Sequence, residues 1–105
     1  RSHSQELQIL YLRDIAYIEA SKQYTIIHLV DKQSFFCDES ISHWEDILPQ
    51  DKFGRCHKSY IIHYAQIDKL GEEILLCNKE SIPISRRQKS YIKEQYTQFI
   101  LRNAN

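Results

Sequence analysis

Polar and basic side chains occur in three short segments of a sequence that is otherwise rich in apolar strands. Residues 21–24 read Ser-Lys-Gln-Tyr, residues 55–60 read Arg-Cys-His-Lys-Ser-Tyr, and residues 85–89 read Ser-Arg-Arg-Gln-Lys. Arginine pairs with guanine, glutamine pairs with adenine, and both arginine and lysine bind phosphate. These residue types indicate contact with a polyanion, and the alternative interpretation is that they form solvated basic loops.

The third segment combines a helix start with an unfavourable charge. Ser85 and Gln88 form a capping-box sequence, so a helix is predicted to begin directly after Ser85. Arg86 and Arg87 then occupy its first turn, where positive charge opposes the helix dipole. Bound phosphate would offset this cost, because helix N-terminal amides and arginine side chains both bind phosphate oxygens.

Residues with catalytic or metal-binding potential form no recognised motif. The sequence has no nucleophile elbow, no glycine-rich phosphate loop and no zinc-protease or calcium-loop pattern. Cys37, Cys56 and Cys77 lack the paired spacing of a zinc site, and we predict that Cys37 and Cys77 are buried. Cys56 adjoins His57, but neighbours in a strand face opposite sides, which argues against a catalytic pair. We therefore predict no enzymatic activity, no metal and no cofactor.

The charge balance argues at first against a nucleic-acid partner. The chain has 105 residues, of which 14 are basic and 14 are acidic, whereas nucleic-acid-binding domains are usually basic. Residues 1–49 hold four basic and eight acidic residues, which gives this part of the chain a net charge of −4. Residues 50–105 hold ten basic and six acidic residues, which gives this part a net charge of +4. We predict a basic face that carries Lys22, Lys58 and Arg87, with an acidic face opposite.

Length and hydrophobic pattern predict a single, mainly β domain over residues 1–105. Charged residues make up 27% of the chain and apolar ones 42%, which excludes a disordered segment. No apolar run approaches the roughly 20 residues that span a bilayer. The chain has no signal segment and an odd number of cysteines, and together these features predict a cytoplasmic location.

Short turns between the apolar runs predict antiparallel sheets. Strands are expected at 7–10, 15–20, 24–30, 34–37, within 53–62, and at 67–70, 74–77 and 81–84. A short helix is expected near 40–48, with Ser40 as its N-cap and an apolar stripe of Ile41, Trp44, Ile47 and Leu48. A C-terminal helix is expected near 86–101.

The order of these segments resembles the LytTR type of DNA-binding domain, the output domain of many bacterial response regulators. Residues 53–62 are similar to the family signature F-x-R-x-H-x-S-[YF]-[IV]-[IV], which is the most specific part of the resemblance. Other parts of the family pattern are similar to residues 14–20 followed by Tyr24, to the helix that ends at Leu48 and Pro49, to Ile67, and to residues 82–87. The similarity covers residues 7–95, nearly the whole chain.

The resemblance implies an elongated arrangement of small antiparallel β-sheets, with loops inserted into successive major grooves of bent DNA. By position, it implies that the DNA-contacting residues are Lys22, Gln23, Tyr24, Arg55, His57, Lys58, Ser59, Ser85, Arg86, Arg87 and Lys89. Arg55 and His57 are open to a second interpretation, in which they hold their loop through hydrogen bonds to the backbone. Residues 21–23 differ from the Gly-Asn or histidine of many members, so the preferred DNA sequence is not transferable.

We therefore predict sequence-specific binding of double-stranded DNA by the output domain of a bacterial transcription regulator. The resemblance also implies direct-repeat sites and a homodimer on DNA, and a sensing or receiver domain would precede residue 1. One alternative is an RNA or single-strand binder that stacks bases on Tyr24, Tyr60 and Tyr64. Another alternative is a protein-interaction module on the same scaffold.

Overall fold

Runs of β-branched and aromatic residues form eight strands in the structure, a computed structural model that describes residues 10–104. The strands are β1 (Ile15–Ser21), β2 (Tyr24–Leu29), β3 (Ser34–Cys37), β4 (Phe53–His57), β5 (Tyr60–His63), β6 (Ile67–Leu70), β7 (Glu73–Leu76) and β8 (Ser81–Pro83). The helices are α1 (Ile41–Ile47) and α2 (Arg86–Asn103), and short 3₁₀ turns lie at Leu12–Asp14 and Tyr64–Gln66. The predicted strand at 7–10 falls on residues 7–9, which lie outside the described residues, and on Leu10, which is in no regular element.

The strands form two small sheets in which every pair is antiparallel. A five-stranded sheet has the order β3-β2-β1-β5-β4, and a three-stranded sheet has the order β6-β7-β8. The domain measures 41 × 30 × 26 Å along its principal axes. The predicted mainly β fold of small antiparallel sheets with two helices is confirmed.

The central strand β1 is buried on both faces because different layers cover them. Ile15 and Ile18 pack with residues of α1, whereas Ala16 and Tyr17 pack with residues of the three-stranded sheet and α2. A bulge between Ile15 and Tyr17 shifts the alternation of side chains at this point. Strand β1 is therefore packed in the middle of the domain, and its C-terminal end leads into the β1–β2 turn.

Helix α1 begins and ends where the sequence predicts. The Ser40 hydroxyl accepts a hydrogen bond from the His43 amide at 3.2 Å, as an N-cap does. The indole of Trp44 donates to the Thr25 hydroxyl of β2 at 2.8 Å, which ties the helix to the five-stranded sheet. The predicted apolar stripe is wrong at Ile47, which is 57% exposed, because at 3.6 residues per turn it lies about 120° around the helix from Ile41 and off the buried face.

Helix α2 packs across β4, and a glycine allows the close approach. The Ser85 hydroxyl caps the helix by accepting from the Gln88 amide at 3.2 Å. A β-carbon at Gly54 would lie 2.0 Å from the Tyr64 hydroxyl oxygen and 2.9 Å from the Ile92 δ-carbon. Gly54 is therefore required because the side chains of Tyr64 and Ile92 occupy the space above its α-carbon.

Pro83 lies at the end of β8, an edge strand, where a residue without an amide hydrogen is tolerated in a sheet. Cys77 is exposed and Cys37 is half-buried, so their predicted burial is wrong for Cys77 and incomplete for Cys37. Cys77 follows β7 directly and is already outside the core. Within residues 10–104, no helix is long and apolar enough to cross a membrane.

Candidate nucleic-acid interface

The turns that contain the first two predicted segments lie side by side at one end of the five-stranded sheet. Residues 22–23 connect β1 to β2, and residues 58–59 connect β4 to β5. Strand β5 pairs with β1, with Glu19 opposite Tyr60, and the Ala20 amide donates to the Ser59 carbonyl at 2.8 Å. We call this end of the sheet the loop end.

The third segment is tied to the same end by the backbone of β4. The Ser85 amide donates to the Cys56 carbonyl at 2.9 Å, immediately before α2 begins. The Gln88 side-chain amide donates to the Arg55 carbonyl at 2.9 Å. These two bonds hold the first turn of α2 against β4, so residues 85–87 lie beside the β4–β5 turn.

A surface cleft of about 440 Å³ joins the second and third segments. Its lining residues come from α1, from β4 and its turn, and from the start of α2, and they are Glu45, Arg55, His57, Lys58, Ser85, Arg87 and Gln88. Three of these residues are cationic at neutral pH and one is acidic. The loop end thus carries a predominantly basic depression that is open to solvent.

Four of the predicted residues present exposed cationic groups at the loop end. Lys22, Lys58, Arg86 and Arg87 are exposed. Within the part of the chain that the structure describes, none of their side-chain nitrogens has a hydrogen-bond or ion-pair partner. Their donors are available to an external anion, which arginine binds through two parallel bonds and lysine binds as a point charge.

Arg55, by contrast, is occupied by contacts within the protein. Its Nη1 donates to the Glu45 carboxylate at 2.8 Å and to the Ser42 hydroxyl at 3.4 Å, both in α1. Its Nη2 donates to the Lys58 carbonyl in the β4–β5 turn. Its side chain is 22% exposed, so the guanidinium links α1 to the turn rather than projecting into solvent.

His57 also holds the β4–β5 turn together. Its Nδ1 accepts a hydrogen bond from the Ser59 amide at 3.1 Å, which requires that Nδ1 carry no proton. The neutral ring therefore has its proton on Nε2, where it remains a potential donor. The ring also packs edge-on against Tyr60, with a centroid distance of 5.6 Å. The structural interpretation left open for Arg55 and His57 thus has a geometric basis.

The other predicted residues have mixed surroundings. Ser85 uses its hydroxyl as the helix cap, and Lys89 forms a 3.2 Å ion pair with Glu72 at the β6–β7 turn. Gln23 is exposed in the β1–β2 turn, and Ser59 is half-buried. Tyr24 is 39% exposed and packs edge-on against Phe36 of the neighbouring strand.

Glu45 and Gln88 line the cleft although the sequence-based prediction did not include them. Gln88 could have been found, because its position in the capping box already places it in the first turn of α2. Glu45 carries no such signal, because its contact with Arg55 depends on how α1 packs against β4 and β5. A single acidic residue in a short helix otherwise looks like part of a solvated surface.

Cys56 is not available for chemistry beside this interface. Its side chain is fully buried, and burial raises the pKa of its thiol to about 12, so it remains protonated and weakly nucleophilic. Its sulfur lies 3.6 Å from the Pro83 carbonyl oxygen and 3.7 Å from that of Tyr60. Among residues 10–104, no group of three histidine, cysteine or acidic residues is arranged to hold a metal ion.

Comparisons with known proteins identify the family. The model of the LytTr DNA-binding domain matches residues 5–97 of the chain. A similar solved structure is the LytTr DNA-binding domain of a Bacillus cereus protein described as a methyl-accepting/DNA response regulator. It is 25% identical to this chain, the match covers 78% of this chain and 80% of that one, and the TM-score is 0.72. The comparison with curated proteins finds no match.

The family match covers most of the chain, including the strands, helix α1, the first part of α2 and all three segments of the loop end. The similar structure extends over most of both chains, so the likeness includes the arrangement of the sheets and not only one motif. The resemblance found in the sequence is confirmed, and the chain belongs to the LytTR family of DNA-binding domains.

Proposed function

We propose that this domain recognises a specific sequence in double-stranded DNA through the three segments at its loop end, as the output domain of a bacterial transcription regulator. The observation that carries the proposal is the convergence of these segments. The 2.8 Å bond between Ala20 and Ser59 and the 2.9 Å bond between Ser85 and Cys56 hold them together through the backbone. Segments that are far apart in sequence thus present their side chains to one ligand.

The exposed side chains suit contacts with both bases and phosphates. Gln23 can pair with adenine and Arg87 with guanine in a major groove, because each offers two hydrogen-bonding atoms in a fixed plane. Lys58 is suited to a phosphate or a base edge, and Arg86 lies beside the first amides of α2, which attract anions. Phosphate contacts would supply most of the affinity, and base contacts would supply the specificity.

The spacing of the segments supports contact with more than one groove. The β1–β2 turn and the start of α2 lie on either side of the β4–β5 turn, so they meet different stretches of a duplex. We propose that they enter successive grooves and that the DNA bends to allow this, with its deformability contributing to sequence preference. We further propose that the domain binds direct-repeat sites as a homodimer on DNA. We also propose that a sensing or receiver domain precedes it and that the protein is cytoplasmic.

The alternative of base stacking on three tyrosines has little support. Tyr64 is 1% exposed and packs against Phe99 inside the domain, so it is not available to an external base. Tyr60 is half-buried between Tyr17 and His57. Tyr24 alone is exposed among the three, and one ring does not form a stacking platform for successive bases.

Selection of bound duplexes from a random pool tests the proposal directly. We expect a preferred sequence to emerge, and the logarithm of the affinity for it to fall linearly with the logarithm of salt concentration. The matching single strand is the control, and it should compete poorly with the duplex. No enrichment of any sequence, or an affinity that does not change with salt, would contradict the proposal.

A further inference from the structure

Arg55 connects the parts of the interface, although its own charge is offset by a neighbour. Its guanidinium lies between the Glu45 carboxylate, 2.8 Å away, and the carbonyl of Lys58. Its backbone carbonyl accepts from the Gln88 side chain at 2.9 Å. One residue of β4 therefore fixes the β4–β5 turn by its side chain and the first turn of α2 by its backbone.

Glu45 is placed where an acidic group should oppose binding of a polyanion. It lines the same cleft as Lys58 and Arg87, and its side chain is 44% exposed. A carboxylate in such a position repels phosphate unless it has another role. Here its oxygen orients Nη1 of Arg55, which leaves Nη2 aligned with the turn.

We infer that Arg55 and Glu45 are positioning residues, which hold the β4–β5 turn and thereby Lys58 in the orientation that binds DNA. The inference rests on the proposed function. It assigns Arg55 a role in holding the interface instead of a direct contact with DNA, and it assigns an acidic residue of α1 a favourable effect on the binding of an anion. Arg55 can do this because the planar guanidinium donates in two directions at once, which an ammonium group does less well.

The two possible roles of Arg55 predict effects of opposite sign when Glu45 is removed. If Arg55 contacted phosphate, Glu45→Ala would free its charge and remove a repulsive one, so the affinity for duplex would rise. If Glu45 positions Arg55, the same substitution releases the turn and lowers the affinity. Asp46→Ala is the matched control, because Asp46 is the next residue of α1, is exposed and carries the same charge.

We expect Glu45→Ala to weaken binding of the selected duplex by about fivefold, as loss of a charge-assisted hydrogen bond does. Asp46→Ala should leave the affinity unchanged or slightly higher. Equal effects of the two substitutions, or tighter binding by Glu45→Ala, would overturn the inference. Thermal unfolding of both variants, followed by circular dichroism, shows whether the fold is retained.

Arg55→Lys provides a second measurement that does not depend on removing a charge. The variant should lose about tenfold in affinity, while the slope of affinity against salt stays that of the unsubstituted domain. Lys58→Ala should instead lower that slope by about one, as loss of a phosphate contact does. Near-complete retention of affinity in Arg55→Lys would overturn the positioning role.

The failure of this inference can be distinguished from the failure of the proposed function. If the unsubstituted domain binds duplex in a salt-dependent way but Glu45→Ala and Asp46→Ala behave alike, only the positioning role is wrong. If the unsubstituted domain selects no duplex, the proposed function and the inference are both wrong. If Glu45→Ala were to lose its fold, the Arg55→Lys measurement would still decide the question.

Discussion

The five-stranded sheet has a similar turn at each end, and the two turns use their side chains differently. At the loop end, Lys22 lies in the β1–β2 turn with a φ of 59°, and at the opposite end Lys32 lies in the β2–β3 turn with a φ of 76°. Both lysines are exposed and adopt the left-handed conformation that costs free energy for any residue except glycine. The backbone conformation alone does not distinguish a DNA-binding turn from a structural one.

The difference lies in what the polar neighbours do. In the β2–β3 turn, the Asp31 carboxylate accepts from the amide of Gln33 at 3.0 Å and from its side chain at 2.9 Å. These side chains stabilise their own turn. At the loop end, the turn instead lies beside the exposed cations of two other segments, which the backbone bonds of Ala20 and Ser85 bring near it. The proposed binding surface results from convergence of segments and not from any one turn.

The largest expected effect concerns Arg87, which is exposed at the start of α2 and lines the cleft. Arg87→Ala should weaken binding of the selected duplex by about tenfold to a hundredfold and relax the preference at one base position, because it would remove the proposed bidentate contact to guanine. Binding curves with the selected duplex and with single-base variants of it measure both effects.

Lys93 of α2 supplies the matched control for Arg87. It is also exposed and cationic, but it lies about two helical turns beyond the loop end. Lys93→Ala should change the affinity by less than about twofold and leave the base preference intact. Equal losses in the two variants would mean that the whole helix, and not its first turn, contributes to binding.

A smaller effect is expected from the two turn lysines. Lys22→Gly and Lys32→Gly remove the same charge and relieve the same left-handed conformation, so their effects on the free energy of unfolding should be similar. Only Lys22→Gly should weaken DNA binding, by about threefold, because it removes one phosphate contact. Strand β2 separates the two turns by about 20 Å, beyond the screening length at physiological salt.

Denaturant unfolding and DNA titration of both variants separate stability from binding. Comparable stability with a loss of affinity confined to Lys22→Gly would support the distinction between the two ends of the sheet. If Lys32→Gly lost as much affinity, the DNA would have to extend along the sheet to the opposite end, and the comparison would be wrong.

The sequence predicts the elements of the fold well because each one has local signals. Alternating apolar residues mark the strands, and Ser40 and Ser85 mark the starts of the two helices, where their hydroxyls accept from the backbone as expected. The sites of error are near the ends of elements. Both Ile47 and Cys77 continue an apolar pattern, but Ile47 lies off the buried face of α1 and Cys77 lies just after the end of β7.

The candidate interface could be predicted only as three unconnected segments with a shared chemistry. Their types identify Arg86 and Arg87 as unusual, since arginine opposes the dipole at a helix start. Which arginine is free and which is paired depends on tertiary contacts between residues far apart in sequence. The Arg55–Glu45 bond, at 2.8 Å, joins β4 to α1 and could not be derived from either segment alone.

Two histidines on the β4–β5 hairpin repeat the contrast between the ends of the sheet. His57, near the loop end, accepts from the Ser59 amide through Nδ1. His63, at the opposite end, is buried against Phe53 with a ring-centroid distance of 4.4 Å, and its Nδ1 donates to the Ile15 carbonyl at 2.7 Å. One histidine shapes the β4–β5 turn and the other belongs to the core.

The smallest expected effect is an acid sensitivity that comes from His63. Burial lowers the pKa of His63 below its ordinary value, more than its bond to Ile15 raises it, and Lys52 lowers it further. Below a pH of about 6.5 the unfolded chain therefore binds a proton at His63 more readily than the folded domain does. The contribution of His63 to folding stability is complete above that pH and falls as the pH decreases through it.

His63→Gln keeps a donor for Ile15 but does not titrate. Its melting temperature should fall less than that of the unsubstituted domain between about pH 7.5 and about pH 5.5. The His43→Gln variant, at a half-buried histidine of α1, should behave like the unsubstituted domain, and an equal fall in all three proteins would exclude His63 as the source.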